Sequence, residues 1–205
     1  MSEVDAQQIP DFNAELLINA YAQGAFPMAE PDSGDIYWYC PDPRAILPLD
    51  GLHISRSLAK HIRRGEFEIR FDTAFRTVIQ ECAKPRAADN PTWIDQKIID
   101  AYCQLHDMGL AHSVEAWQDE QLVGGVYGVS LNGLFAGESM FSRKSNASKI
   151  CLVHLVKHLN QRGYQLLDVQ FQNPHIAQFG VIEIPREQYF KQLEVALQTK
   201  VKWAD

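Results

Sequence analysis

The stretch from Ala111 to Phe141 constrains the fold more than any other part of the chain. It holds three strand-like runs in succession, AHSVEAW, LVGGVYGV and LFAGESMF. Only the turn signals Asp119–Glu120 and Asn132–Gly133 separate them, so they read as an antiparallel meander. A helical pattern follows over 146–162, with Leu152, Leu155, Val156 and Leu159 on one face and Gly163 as its stop. Then come the strand QLLDVQF, a loop or helical turn from Pro174 to Phe179, the strand VIEI, and a last helix over 186–198. This order is α+β, with helices packed against a mixed sheet. A right-handed crossover from LFAGESMF to QLLDVQF would set those two strands parallel.

Upstream, residues 13–23 read as a helix, with Leu16, Leu17, Ala20 and Tyr21 as its apolar stripe and Gly24 as its end. A second helix runs from the N-cap Ser55 to Arg64, before Gly65. Phe67 to Phe71 alternates like a strand, and a helix follows through Cys82. Another helix spans 94–108. Phe26 to Pro48 is rich in Pro, Asp and aromatics and reads as an irregular joint between two lobes. The expected division is a small N-terminal lobe and linker over 1–50 and a larger domain over 51–205.

Strand parity places the candidate chemistry. Glu138 falls on the face of Leu134, Ala136 and Met140, while Asp168 and Gln170 share a face with Leu166. A half-buried carboxylate is costly unless it is paired or used. These groups are therefore either an acid–base site or carboxylates satisfied by nearby cations and backbone. Gly124, Gly125 and Gly128 mark either close approach of a ligand to a strand or a packing accommodation. Trp38 and Trp93, beside prolines, either wall a pocket or pack between lobes. Arg56, Lys60, Arg63 and Arg64 form one basic helical stripe, which suits a phosphate backbone or simply water.

Several classes drop out. His154 and His158 are four residues apart, but with no HExxH and no evident third ligand no metal site is expected. A Walker loop and a GxSxG elbow are both missing. No run reaches the roughly 18 apolar residues of a membrane span. The start, MSEVDAQQIPDF, is polar and acidic, so a cytoplasmic protein is expected. The cysteines, Cys40, Cys82, Cys103 and Cys151, have no CxxC or disulfide-framework spacing and read as free thiols. The net charge of −7 argues against indiscriminate nucleic-acid binding, though not against a local basic patch.

GAFPM at 24–28, WYCPDPRAILP from Trp38, LHISRS at 52–57, TWI at 92–94 and AHSVEAW follow one another along the chain. LVGGVYGV, FAGESMFSRKSNASK at 135–149 and DVQFQNPHIAQFGVIEIPR at 168–186 continue the series in order. On these segments the chain resembles the leucyl/phenylalanyl-tRNA–protein transferases. The resemblance implies a C-terminal lobe like that of the GCN5-related acetyltransferases, a mixed sheet flanked by helices, behind a smaller N-terminal lobe. It implies an enzyme that moves Leu or Phe from aminoacyl-tRNA to the N-terminal Arg or Lys of an acceptor protein, marking it for N-end-rule degradation. No cofactor, no membrane and a monomer go with that reading.

Carried onto this chain, the resemblance marks Asp168 and Gln170 as a catalytic pair and Glu138 as a site carboxylate. Trp38 and Trp93 would hold the terminal adenosine or the esterified amino acid. Val126, Phe135, Met140, Leu152 and Leu155 would shape the apolar slot. Phe135 and Met140 differ in parity, so both line one slot only if the strand bulges, with Gly137 the expected place. The acid–amide pair is expected to open into the same cavity as the slot. The basic stripe from Arg56 to Arg64 is the candidate tRNA contact.

Met28 stands where the family has an aromatic residue, Cys40 where serine is usual, and Val126 where some members carry a larger methionine. The C-terminus is also short. Two rivals stay in view. One is an acyl-CoA N-acetyltransferase, disfavoured because SRKSNASK lacks the glycines that cradle a pyrophosphate. The other is a binding module without catalysis.

Overall fold

The structure, a computed structural model, describes residues 12–30, 33, 35–85, 92 and 94–204. The chain opens with α1 (Ala14–Ala22), capped by the Asn13 side chain, which accepts from the Leu16 amide at 3.0 Å. Three short strands follow, β1 (Phe26–Ala29), β2 (Ile36–Tyr39) and β3 (Arg44–Ile46). Next come α2 (Arg56–Arg64), β4 (Glu68–Phe71), α3 (Phe75–Cys82) and α4 (Gln96–Asp107). The meander is β5 (Ala111–Gln118), β6 (Gln121–Leu131) and β7 (Leu134–Ser142). The chain ends with α5 (Ala147–Arg162), β8 (Leu166–Gln170), α6 (Pro174–Ala177), β9 (Ile182–Ile184) and α7 (Arg186–Gln198).

The segment expected to be an irregular joint thus carries strands. β1 and β2 form a separate antiparallel pair, Phe26 opposite Tyr39. β3 enters the main sheet, whose order is β4-β5-β6-β7-β8-β3-β9. A strand from before residue 51 therefore completes the sheet of the larger unit, between β8 and β9. At three or four residues, these strands are too short to show a two-residue period.

β4 to β7 are antiparallel neighbours, and β7 and β8 are parallel, as the α5 crossover requires. The result is the expected α+β architecture, a mixed sheet with a hydrophobic core on each face. One core packs α1, α3, α4 and α7 against Tyr127, Val129, Leu134 and Ala136. The other packs α5 against Val114, Val126, Phe135 and Leu167. Among the described residues no helix is long and apolar enough to cross a membrane.

The strand glycines resolve as packing. A Cβ at Gly128 would lie 2.4 Å from the Phe135 ring, and one at Gly124 would lie 2.5 Å from the Cβ of Ala147. Removing those side chains lets Phe135 fold beneath β6 and lets the first turn of α5 press on the sheet.

Candidate active site

β7 and β8 pair only from Leu134–Ala136 against Leu166–Asp168. Both strands run on, to Ser142 and Gln170, and part. A cavity of about 710 Å³ lies between them, bordered by Gly137 to Met140 on β7 and Val169 on β8. Val126 of β6 and Leu152 and Leu155 of α5 give it an apolar wall. The structure thus brings together Val126, Met140, Leu152, Leu155 and Glu138 around one space.

A β-bulge decides which way these side chains face. Tyr127 opposes Ser139 and Gly128 opposes Gly137, so Glu138 is the extra, unpaired residue. Met140 then stands opposite Val126 and Phe135 opposite Ser130, all on the α5 face. Glu138 turns instead toward the tyrosines of α1 and α4. The parity expected from sequence, which grouped Glu138 with Met140, is corrected by this one-residue slip. The bulge was expected one residue earlier, at Gly137.

Phe135 shares that face but does not line the cavity. Its ring lies under β6, stacked on Trp203 with centroids 5.5 Å apart, and is only 1% exposed. Trp38 is half-buried in β2, 6.1 Å from the Phe12 ring, and is not among the cavity residues. Trp93 lies outside the described residues, although its neighbour Thr92 borders the cavity.

Glu138 is held by neutral donors alone. Its Oε1 accepts from the Tyr21 hydroxyl at 2.6 Å and from Gln170 Nε2 at 2.8 Å. Oε2 accepts from the Tyr102 hydroxyl at 3.1 Å, and the two hydroxyls touch each other. Among the described residues no cation pairs with it. Burial pushes its carboxyl up to about 7. The hydrogen bonds from Tyr21 and Tyr102 pull the other way, and the nearby charge of Asp168 adds to the rise.

Asp168 is treated differently. It is fully buried and gripped at both oxygens by Arg44, Nε to Oδ1 at 2.9 Å and Nη2 to Oδ2 at 2.6 Å. The Tyr189 hydroxyl donates to Oδ2 at 2.9 Å. The Arg44 guanidinium lies between the rings of Phe26 and Tyr189, 4.7 and 4.4 Å from their centroids. Its Nη1 donates to the Gly24 carbonyl at 2.9 Å, tying the N-terminal segment to the sheet.

The expected opening of Asp168 into the slot is therefore not found, because arginine and tyrosine cover it. Its remaining contact runs to Gln170, whose backbone N–H donates to Oδ1 at 2.9 Å. Gln170 sits at φ +66°, a left-handed conformation that a non-glycine residue keeps only when held. Asp168 supplies that hold, and the Gln170 side chain is thereby aimed at Glu138.

Arg44, Tyr21, Tyr102 and Tyr189 escaped the sequence reading. Tyr21 and Tyr189 pass as core members of helical stripes, yet a buried tyrosine hydroxyl needs a partner. The basic stripe is exposed on α2: Arg56, Lys60, Arg63 and Arg64 face solvent, and Arg64 lies 3.6 Å from Glu66. His158 spends its Nε2 on the Trp203 carbonyl, 2.9 Å away.

Comparison with known proteins places the chain. The family model described as leucyl/phenylalanyl-tRNA protein transferase matches residues 46–194, and that of the same family's N-terminal domain matches 10–42. A leucyl/phenylalanyl-tRNA–protein transferase of Herpetosiphon aurantiacus is 59% identical over 185 residues, 90% of this chain and 94% of that protein. Among solved structures, L-PGS from Bacillus licheniformis matches at TM-score 0.42 and 13% identity, over 79% of this chain and 52% of that one. A ribosomal-protein-alanine N-acetyltransferase from Brucella melitensis matches at TM-score 0.38 and 15% identity, over 62% of this chain and 90% of that one. With both domain models and a majority-identical relative spanning nearly its whole length, the chain belongs to the leucyl/phenylalanyl-tRNA–protein transferase family.

Proposed function

We propose that this enzyme transfers an amino acid from aminoacyl-tRNA to the N-terminus of an acceptor protein, with Glu138 as the group that takes the amine proton. The observation that carries this reading is the placement of Glu138. A bulge sets it on the cavity wall, with no cation beside it among the described residues and a carboxyl near 7. A proton acceptor works best when its pKa lies near the operating pH.

The donor side chain, Leu or Phe, enters between Val126, Met140, Leu152 and Leu155. Its ester is already activated, so the reaction as written needs no ATP. The acceptor α-amino group, with an ordinary pKa near about 8, is partly neutral at cellular pH. Its nitrogen attacks the ester carbonyl, forming the peptide bond and breaking the bond to the ribose oxygen. Glu138 takes a proton from the nitrogen and returns it to the departing ribose oxygen, so the balance closes. Gln170, held by Asp168, orients the Glu138 carboxylate and presents its amide oxygen to the attacking amine. Asp168 is a positioning residue in this scheme.

The terminal adenosine is assigned to Trp38 and Trp93, and the tRNA backbone to the stripe on α2. The acceptor begins with Arg or Lys, which suits an acidic chain. The enzyme acts as a monomer in the cytoplasm and marks its product for N-end-rule degradation. The test is direct: incubate the protein with Phe-tRNA and a peptide beginning with Arg. The expected product is the peptide lengthened by one Phe. Release of free Phe with no lengthened peptide would contradict the reading.

A further inference from the structure

The N-terminus of α5 opens on a second recess, of about 300 Å³, beside the amino-acid cavity. The two spaces share Ser142, Arg143, Ser148 and His175. Arg143, Lys144 and Lys149 line the recess, and no carboxylate is among its described lining residues. Arg143 is partly neutralised by Glu81, with contacts of 3.1 and 2.5 Å. Lys149 reaches Gln178 at 2.9 Å. Lys144 is exposed and has no carboxylate partner among the described residues.

The helix end is only partly filled: the Ser148 amide donates to Ser142 Oγ at 3.3 Å and the Ala147 amide to the Lys144 carbonyl at 3.2 Å. Asn146 caps α5 without a side-chain hydrogen bond. Ser148 is 3% exposed, borders both spaces, and its hydroxyl has no partner among the described residues. A helical serine usually returns its hydroxyl to the carbonyl four residues back. Here that carbonyl, of Lys144, already accepts from Ser142 Oγ at 2.7 Å and from the Ala147 amide at 3.2 Å. Gly124 fixes the place, since it lets Ala147 press against the sheet.

Resting on the function proposed above, we infer that this recess binds a phosphate: the phosphodiester of the tRNA acceptor end that precedes the terminal adenosine. A single phosphodiester offers one negative charge and acceptor oxygens. Those meet the Ser148 hydroxyl, the Lys144 ammonium, which has no carboxylate partner among the described residues, and the positive end of the α5 dipole. The recess adjoins the cavity assigned to the esterified amino acid, and it is a locally basic spot on a chain of net charge −7.

Three donors separate the possibilities: phenylalanyl-adenosine, which carries no phosphate, a phenylalanyl-CCA trinucleotide, and Phe-tRNA. For Lys144→Glu, KM with the trinucleotide and with tRNA is expected to rise about tenfold, the scale of one charged hydrogen bond, with kcat nearly unchanged. KM for phenylalanyl-adenosine is expected to stay as in the wild type. The Lys144→Glu/Lys149→Glu double variant should also flatten the salt dependence of trinucleotide KM. Inorganic phosphate should compete with the trinucleotide and not with the adenosine ester. An equal loss with all three donors, a loss with tRNA alone, or no loss at all would overturn the inference. If the wild type used none of the donors, the proposed function would fail instead.

Discussion

Asp168 lies on β8 and Glu138 on the adjoining β7, and both face the core packed by α1, α4 and α7. Asp168 is closed in by Arg44, Tyr189 and a backbone amide. Glu138 meets two tyrosines and an amide, none of them charged, at the edge of a cavity. The difference shows how one sheet makes a cation-paired carboxylate and a cation-free one from the same chemistry. Pairing with a cation turns the first into scaffold. Burial without a cation pushes the second up to about 7.

The largest effect should come from breaking the scaffold side of this contrast. Arg44→Ala leaves Asp168 buried without its cation and should cost about 3–5 kcal/mol of unfolding free energy in urea titration. Replacing both partners, Arg44→Met with Asp168→Leu, should recover much of that stability. It should not recover transfer, because Gln170 loses the acceptor that holds its backbone. If the double variant regained full transfer, Asp168 would not be positioning Gln170.

The titratable side of the contrast makes the opposite stability prediction. Burial raises the Glu138 carboxyl to about 7 in the folded state, from the ordinary carboxylate value of 4.5. The folded protein therefore holds a proton that the unfolded chain has released, and stability falls as pH rises through that interval. The loss is on the order of 3 kcal/mol above pH 7. Glu138→Gln should remove it, so the variant should be more stable than wild type at pH 8 and equal to it near pH 4, by thermal or urea melts. A wild-type curve flat from pH 4 to 8 would contradict this.

A smaller effect should follow from Tyr102→Phe. It removes one hydrogen bond that favours the ionised Glu138, so the acid limb of the pH–rate profile should move to higher pH. The smallest effects belong to α2. Reversing Arg56 or Lys60 should weaken tRNA binding and lower the salt slope by about 0.7–0.9 per lost phosphate contact. An unchanged slope would return the stripe to solvent.

Much of this architecture is legible in the sequence. The meander, the α5 crossover and the glycine-stopped helices carry long periodic patterns, and Gly65 and Gly163 take the left-handed conformation that ends α2 and α5. The family likeness, not periodicity, singled out Val126, Met140, Leu152 and Leu155, which border one cavity. What escaped notice depends on single residues or on distant ones. The parity of Phe135 and Met140 called for a bulge at Gly137, but its exact position, one residue on at Glu138, depends on a single pairing that the pattern does not show. Arg44 sits 124 residues before the carboxylate it grips, and only the folded sheet brings them together. Phe135 looked like a pocket residue until Trp203, far along the chain, was found stacked on it.

The most direct test of the account is the pH dependence of peptide-bond formation, measured in single turnovers with Phe-tRNA and an Arg-initiated peptide. In the wild type the rate should rise through an apparent pKa near 7. Glu138→Gln should lower the plateau by about 10²- to 10⁴-fold and abolish that rise. A variant that keeps both the plateau and the inflection would show that the proton goes elsewhere.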